Sequence, residues 1–484
     1  MAKSEGNFGT RRAPGVPIRA LWVAAAGLAL CGLSLSLSTA QRPADAQPKA
    51  IEIYPSNADA TCNEEFEAVA NALQPGDELI LHGGTYSQTC RRRISGRQGT
   101  PERPIVIRAA VRETPVLTRP VSPNHDYQHN NLEIEDSAYL VIRGLKLRGG
   151  STGLRFVGTN SHITLEDIEI SATGNNALAM NNGDTDGFVI RRNHIHDTGL
   201  LGTSAGTTEG EGMYVGCNDA KCIASNHIIE YNYIHHLRGT SDGGNDGIEV
   251  KPGSHGIVVR DNVVHDTNIG TKFPCIFVYG GGIARNIVER NVVWRCGEGI
   301  QVVSDVGVRN NVIMHSERGI TAGPHVQVPK MKDVTIVNNT LYGHQECVRI
   351  RWETAERMVL ANNAIYCPGT KAVDAAGLSG PGKQVFLNFV EGAVSAGLRD
   401  GIQFAPGGRA ASVFTDVVAR DFWPKPWSPL VGAALGRLAP ENDFNGTRRA
   451  APYDIGAYQT NGRPTNPGWR IGQGIKVGSV LTFP

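Results

Sequence analysis

The feature that most limits what this chain can fold into is a phrase that recurs seven times between residues 193 and 366, an asparagine followed by alternating aliphatic positions. It reads Asn193-His194-Ile195-His196, Asn232-Tyr233-Ile234-His235, Asn262-Val263-Val264-His265, Asn291-Val292-Val293-Trp294, Asn311-Val312-Ile313-Met314, Asn339-Thr340-Leu341-Tyr342 and Asn363-Ala364-Ile365-Tyr366. Between these sits a second phrase, a small residue and then two aliphatics flanking a variable position. Gly153-Leu154-Arg155-Phe156, Ala177-Leu178-Ala179-Met180, Gly212-Met213-Tyr214-Val215, Gly247-Ile248-Glu249-Val250, Cys275-Ile276-Phe277-Val278 and Gly299-Ile300-Gln301-Val302 are examples. A third short run, such as Gly256-Ile257-Val258-Val259-Arg260, completes each repeat.

Successive strand residues face opposite ways, so the aliphatics point to one side and the variable positions to the other. Three short strands bounded by Gly and Asn describe a coil that returns on itself. One such coil cannot bury its apolar face alone and must stack on its neighbours, with strands parallel from rung to rung. The expected fold is all-β, a right-handed parallel β-helix with an amino-terminal capping helix and an irregular carboxy-terminal cap. The asparagines are assigned to structure: turns between strands call for residues tolerant of left-handed backbone, and stacked amides hydrogen-bond along the ladder. The same reading applies to the column His196, His235, His265, Trp294, Met314, Tyr342 and Tyr366, taken as a structural stack and not a metal site.

The expected organisation is a removable export signal over 1–46, a cap and first coils over 47–130, repeats over 131–375 and a carboxy-terminal cap or tail over 376–484. Arg11, Arg12 and Arg19 precede an apolar run from Ala20 to about Leu37, and Ala44-Asp45-Ala46 offers the small-residue exit. Residues 63–73 place Phe66, Val69, Ala70 and Leu73 on one helical face, with Glu78-Leu79-Ile80-Leu81 opening the first rung. Of nine cysteines, one lies in the signal. The remaining even number, in a chain expected to fold outside the reducing cytosol, points to disulfides over the competing metal site, with Cys217–Cys222, Cys275–Cys296, Cys347–Cys367 and Cys62–Cys90 as candidate pairs and the connectivity left open. A net charge of +1 argues against nucleic acid, which demands a basic face. The mature chain is expected to be a secreted, periplasmic or extracellular monomer, without stable membrane insertion once the signal is gone.

Stacked coils turn outward positions into columns. One runs Arg155, Ala179, Tyr214, Glu249, Phe277, Gln301, Thr321, Arg349, and a second, two residues on, runs Val157, Asn181, Gly216, Lys251, Tyr279, Val303, Gly323, Arg351. A third, just before the strand, runs Thr152, Asn176, Glu211, Asp246, Pro274, Glu298, Arg318, Glu346. The middle rungs therefore gather Glu209, Glu211, Asp242, Asp246, Glu249, Lys251, Tyr214 and Tyr279 on one surface, beside long loops at 199–211 and 237–246. Loops of that length within a compact repeat are often functional.

The helix followed by PGDELILHGGTY, the asparagine coils and the closing Tyr453-Asp454-Ile455-Gly456-Ala457-Tyr458 resemble secreted proteins of the pectate-lyase-like superfamily over nearly the whole mature chain. That resemblance implies the β-helix and a secreted protein acting on an acidic, uronate-containing polysaccharide. A lyase reading then assigns roles. Eliminative cleavage removes the proton beside the uronate carboxylate, which needs that carboxylate neutralised by a cation. Glu211, Asp246 and Glu249 are the candidate ligands for Ca²⁺, Lys251 the base, and Tyr279 the acid for the leaving oxygen. Tyr214, Arg349 and Arg351, with Trp352 stacking on a ring, are candidate substrate contacts. Asp246-Gly247-Ile248-Glu249-Val250-Lys251 further resembles the core of polysaccharide lyase family six, the alginate and chondroitin lyases, in which two calcium-binding carboxylates precede a catalytic lysine and an arginine follows one rung on. Here the earlier carboxylate position holds Gly244 and the arginine position Tyr279. Lysine-based pectate lyases of family nine are an equally distant comparison.

Three other readings stay open. A glycoside hydrolase would use Asp246 with Glu211 or Glu249. A uronate epimerase would return the abstracted proton without cleaving the chain. A non-catalytic carbohydrate-binding or surface protein would carry Glu249 and Lys251 as a solvated ion pair.

Overall fold

The computed structural model describes residues 47–56, 64–122, 129–200, 209–239, 244–267, 269, 272–395 and 404–477. The expected signal and the Cys62 half of one expected disulfide lie outside the described residues. The unit Asp45–Pro484 is a right-handed parallel β-helix. One sheet of 13 strands begins at Ala50–Ile53 and ends at Lys383–Phe386. The other two faces are linked through the long strand Ala364–Ala376, which pairs with Thr340–Tyr342 on one face and with Glu346–Arg351 on the other.

Alternate aliphatics of the phrases fill the interior. Ile195, Ile234, Val264, Val293 and Ile313 from the first phrase meet Met213, Ile248, Ile276 and Ile300 from the second in one continuous core. The small residue opening the second phrase has a steric cause: a Cβ on Gly247 would run into the Cys275 carbonyl oxygen of the next coil. Disulfides Cys217–Cys222, Cys275–Cys296 and Cys347–Cys367 are present.

Asparagines 193, 232, 262, 291, 311, 339, 363 and 388 form one ladder, in which the Asn262 amide donates to Asn291 Oδ1 at 3.0 Å and Asn291 donates to Asn311 Oδ1 at 3.1 Å. A second donor bond from each goes to a strand carbonyl, as from Asn291 to Val259 at 2.9 Å. The left-handed conformation, however, belongs to the residue before each asparagine. Asp261, Arg290, Asn310, Asn338 and Asn362 have φ of 53 to 57°. The ladder residues are thus selected for their amides, and the corner is turned one position earlier.

Two boundaries differ from expectation. Strand Ala50–Ile53 precedes helix Glu64–Ala72 and pairs with Glu78–Leu81, so the helix is inserted after the first strand instead of preceding the first rung. Phe66, Ala70 and Leu73 are buried, as the apolar face requires. Coiling also continues past 375, through Asn388–Val394 to Phe404–Pro406. The carboxy-terminal segment then runs back along the outside of the third face. Phe414, Phe422, Trp423, Leu430, Phe444 and Tyr458 pack on Trp294, Met314 and Tyr366 in a second apolar cluster. Asn338 donates to Asp454 O at 3.0 Å, Arg449 to Asn310 Oδ1 at 2.8 Å and Lys476 to Asp261 Oδ1 at 2.8 Å, so the tail is bonded to several different coils. Among the described residues no helix is long and apolar enough to cross a membrane.

Candidate acidic centre

The register of the second face joins Arg155 to Ala179, Ala179 to Tyr214, Tyr214 to Glu249, Glu249 to Phe277, Phe277 to Gln301, Gln301 to Thr321 and Thr321 to Arg349. Strands Met213–Val215 and Ile248–Val250 therefore present Tyr214 and Glu249 side by side. Glu211 and Asp246 enter at the start of the same two strands, on adjacent coils bonded from Gly212 N to Asp246 O. One carboxylate oxygen from each of Glu211, Asp246 and Glu249 lies within 4.8 Å of the other two. The Lys251 ammonium donates to Glu249 Oε1 and lies 4.3 Å from the Tyr214 ring centre and 5.2 Å from that of Tyr279. Besides burial, the Glu249 charge beside Tyr279 helps to push the phenol's pKa up.

Three carboxylates, one ammonium and two phenols are packed here with only 2–5 % of each residue exposed. Burial, with the charge of Glu249 next to it, holds Glu211 and Asp246 well above the usual carboxylate range. Glu249 is raised by burial too, against the opposing pull of the Lys251 charge. Burial and the surrounding carboxylates push both tyrosines far up, so they keep their protons. If all three acids are ionised, the one ammonium leaves two negative charges uncompensated, an arrangement too costly to persist unaided. One oxygen of each carboxylate, Glu211 Oε2, Asp246 Oδ1 and Glu249 Oε2, is buried without a hydrogen-bond partner. An all-oxygen donor set with free lone pairs and a doubly negative balance fits a hard dication of the Ca²⁺ class.

Gly244 has a structural explanation. A Cβ there would strike Glu211 Oε1, which reaches over from the preceding coil, so a side chain at 244 would displace that carboxylate. Glu209 also contributes charge beside Glu211, whereas Asp242 lies outside the described residues. His325 was not anticipated. Its ring meets Tyr279 edge-on at 4.9 Å and Phe277 at 5.8 Å, and burial with the Lys251 charge lowers its pKa. The only sequence signal for it is the long connection between strands Arg318–Ala322 and Val334–Val337.

The arginines are not brought to the centre. Arg349 is four coils from Glu249, about 19 Å at the ~4.8 Å rung spacing, and is paired with Glu346 at 2.8 Å. With Arg318, Glu317 and Lys371 it lines a cleft of about 510 Å³. Arg351 pairs with Asp374 at 3.0 Å. Trp352 does not face a sugar: the strand's alternation turns it inward with Val348 and Ile350, and it is fully buried.

Comparison with known proteins agrees with this architecture. Residues 125–313 match the family model described as "Right handed beta helix region". Among solved structures, pectate lyase Pel9A aligns at 13% identity and a TM-score of 0.48, over 86% of this chain and 97% of that one. An alginate lyase from Paenibacillus sp. str. FPU-7 aligns at 18% identity and 0.43, over 72% and 99%. A GH136 lacto-N-biosidase from Eubacterium ramulus aligns at 12% and 0.42, over 66% and 63%. No curated protein matches the chain. Likenesses of this degree concern the fold and assign no activity.

Proposed function

We propose that this chain is an exported polysaccharide lyase that cleaves a uronate-containing polymer by β-elimination at the acidic centre. The observation that carries the reading is the set of three orphaned buried carboxylate oxygens around Lys251. Glu211, Asp246 and Glu249 would hold a Ca²⁺-class cation, which when bound supplies positive charge to the substrate carboxylate and so acidifies the neighbouring C–H. Lys251 is the base that takes that proton. The C–H electron pair becomes the new C=C bond, the C–O bond of the glycosidic link breaks, and the Tyr279 hydroxyl protonates the departing oxygen. Tyr279, with its pKa pushed far up, carries a proton at every working pH. Tyr214 walls the base on the other side. With Lys251 only 4 % exposed, substrate reaches it only when neighbouring side chains give way.

Carboxylate oxygens within 4.8 Å are closer than the roughly 6.5–9.5 Å an inverting glycoside hydrolase needs to fit its water. The deciding experiment follows ultraviolet absorbance of the unsaturated product on alginate, pectate and glycosaminoglycans, with Ca²⁺ and with chelator. Product from one polymer, lost with chelator and in Lys251→Ala, is the expected result. Silence across the whole panel overturns the reading.

A further inference from the structure

On the third face, the column that begins with histidines and ends with aromatics divides in two. Register links His196 to His235, His235 to His265, His265 to Trp294 and Trp294 to Met314. From Trp294 onward the column is covered by the returning tail, which accounts for its apolar character. The described tail ends near Lys476, bonded to Asp261, and Gly474 reaches Tyr233. His194 and His196 lie one coil earlier and stay half-exposed, so burial under the tail does not explain them.

We infer that Glu169, His194 and His196 form a second metal site, for a borderline d-block dication of the Zn²⁺ class. One ligand atom from each lies within 4.8 Å of the other two, supplied by just two adjacent coils in the register Glu169 to His194. His196 Nε2 stands 3.7 Å from Glu169 Oε1, too far for a hydrogen bond. Two ligands of one tetrahedral zinc stand about 3.4 Å apart, given metal–ligand bonds of roughly 2.0–2.1 Å. The other ring nitrogen of His196 is held by Asp197 Oδ2 at 2.7 Å, the carboxylate–histidine arrangement that orients a metal-binding imidazole. Lys146 takes the opposite oxygen of Glu169, Oε2, at 2.7 Å and leaves Oε1 for the ion. His194 Nε2 and His235 Nε2 share a proton across 2.8 Å, which fixes the orientation of the His194 ring.

The site is open. A cleft of about 350 Å³ reaches Glu169 and His196, and another of about 280 Å³ reaches Glu169 and His194. Imidazole nitrogen selects a softer ion than the all-oxygen centre on the second face, so the two sites divide by ligand chemistry. A second histidine group, His236, His265 and Asp266, is a poorer candidate, because Asp266 is already engaged by Arg295 and His265.

The test uses the full chain, stripped with chelator and dialysed against Zn²⁺, and in parallel titrated with Co²⁺ while visible d–d absorption is followed. One equivalent of Zn²⁺ and a Co²⁺ spectrum are expected. His196→Ala should remove both, and Glu169→Gln should weaken binding at least tenfold. Asp197→Asn, a half-exposed change that leaves all three ligands in place, should weaken it roughly 10–100-fold. Glu211→Gln and His236→Ala should bind as the parent does, and millimolar Ca²⁺ should not compete. No bound Zn²⁺ in the parent protein overturns the proposal. So does binding that persists unchanged in His196→Ala and Asp197→Asn, or that is lost in Glu211→Gln.

Discussion

The asparagine ladder and the acidic centre are built by the same repeat, on adjacent rungs, and both bury polar side chains almost completely. In the ladder each amide oxygen accepts from the coil before it and each amide nitrogen donates to the coil after it and to a strand carbonyl. At the acidic centre, three carboxylate oxygens accept nothing and the charges do not sum to zero. The ladder satisfies its amides coil after coil, whereas the acidic centre gathers three unsatisfied carboxylate oxygens in one place, unlike single buried atoms elsewhere such as Trp294 Nε1 and Tyr458 Oη. Satisfied burial is the mark of structure, and a cluster of unsatisfied charged oxygens is where the proposed cation would bind.

The largest effect that tests this contrast is catalytic. On a polymer that responds, Lys251→Ala should lower kcat about 10³-fold, or ~4 kcal/mol of barrier, while the melting temperature stays within a few degrees of the parent. Steady-state kinetics beside a thermal melt separate the two quantities. A variant that melts early and keeps its residual turnover would place Lys251 with the ladder, as structure.

Next in size is the reverse experiment on the ladder. Asn291→Ala removes the oxygen that accepts from both the Asn262 backbone and its amide. Two buried donors are orphaned, at roughly 1–3 kcal/mol each. The melting temperature should fall clearly, with no change in cation dependence. Loss of the cation response with no loss of stability would break the comparison from the other side.

Glu211→Gln probes the centre without emptying it. A neutral amide relieves part of the charge imbalance, so in chelator the variant should be more stable than the parent by about 1–2 kcal/mol, and the stabilisation by added Ca²⁺ should shrink. The pH profile follows from the same shifts. Glu211 and Asp246 have folded-state pKa values above their unfolded ones. Their contribution is complete below the unfolded carboxylate pKa and is lost as pH rises through the raised values. In chelator, the melting temperature should therefore decline as pH rises from about 4. With Ca²⁺ the decline should flatten, and parallel curves under both conditions would remove the case for a cation.

How much of this is legible in the sequence depends on whether a residue belongs to the repeat. The outward neighbours Tyr214, Glu249, Phe277 and Gln301 follow directly from the small residue that opens each second phrase, because that residue sets the phase of the strand. Trp352 follows from the same alternation, which turns it inward, against the expectation of a sugar contact. The left-handed corner at Asp261 or Arg290 is hidden, since those side chains do not announce it and the conspicuous asparagine stands one place later. His325 and the tail carry no period at all. Their positions come from tertiary contacts, Tyr279 for the first and Trp294 and Asp261 for the second, which no local pattern encodes.

The smallest effect concerns distance from the centre. Arg349 is partly exposed and already paired with Glu346, so an exposed ion pair of this kind is worth no more than ~1 kcal/mol to anything that replaces it. If the polymer lies along the stacking direction, its carboxylates pass Arg318 and Arg349 in the cleft beyond Thr321. Arg349→Ala should then raise KM by about two- to fivefold on long chains, leave kcat unchanged, and have no effect on oligomers too short to span roughly four rungs. A length-independent change, or one confined to kcat, would mean that the polymer crosses the rungs instead of following them, and that the cleft at Arg349 belongs, like the ladder, to the architecture.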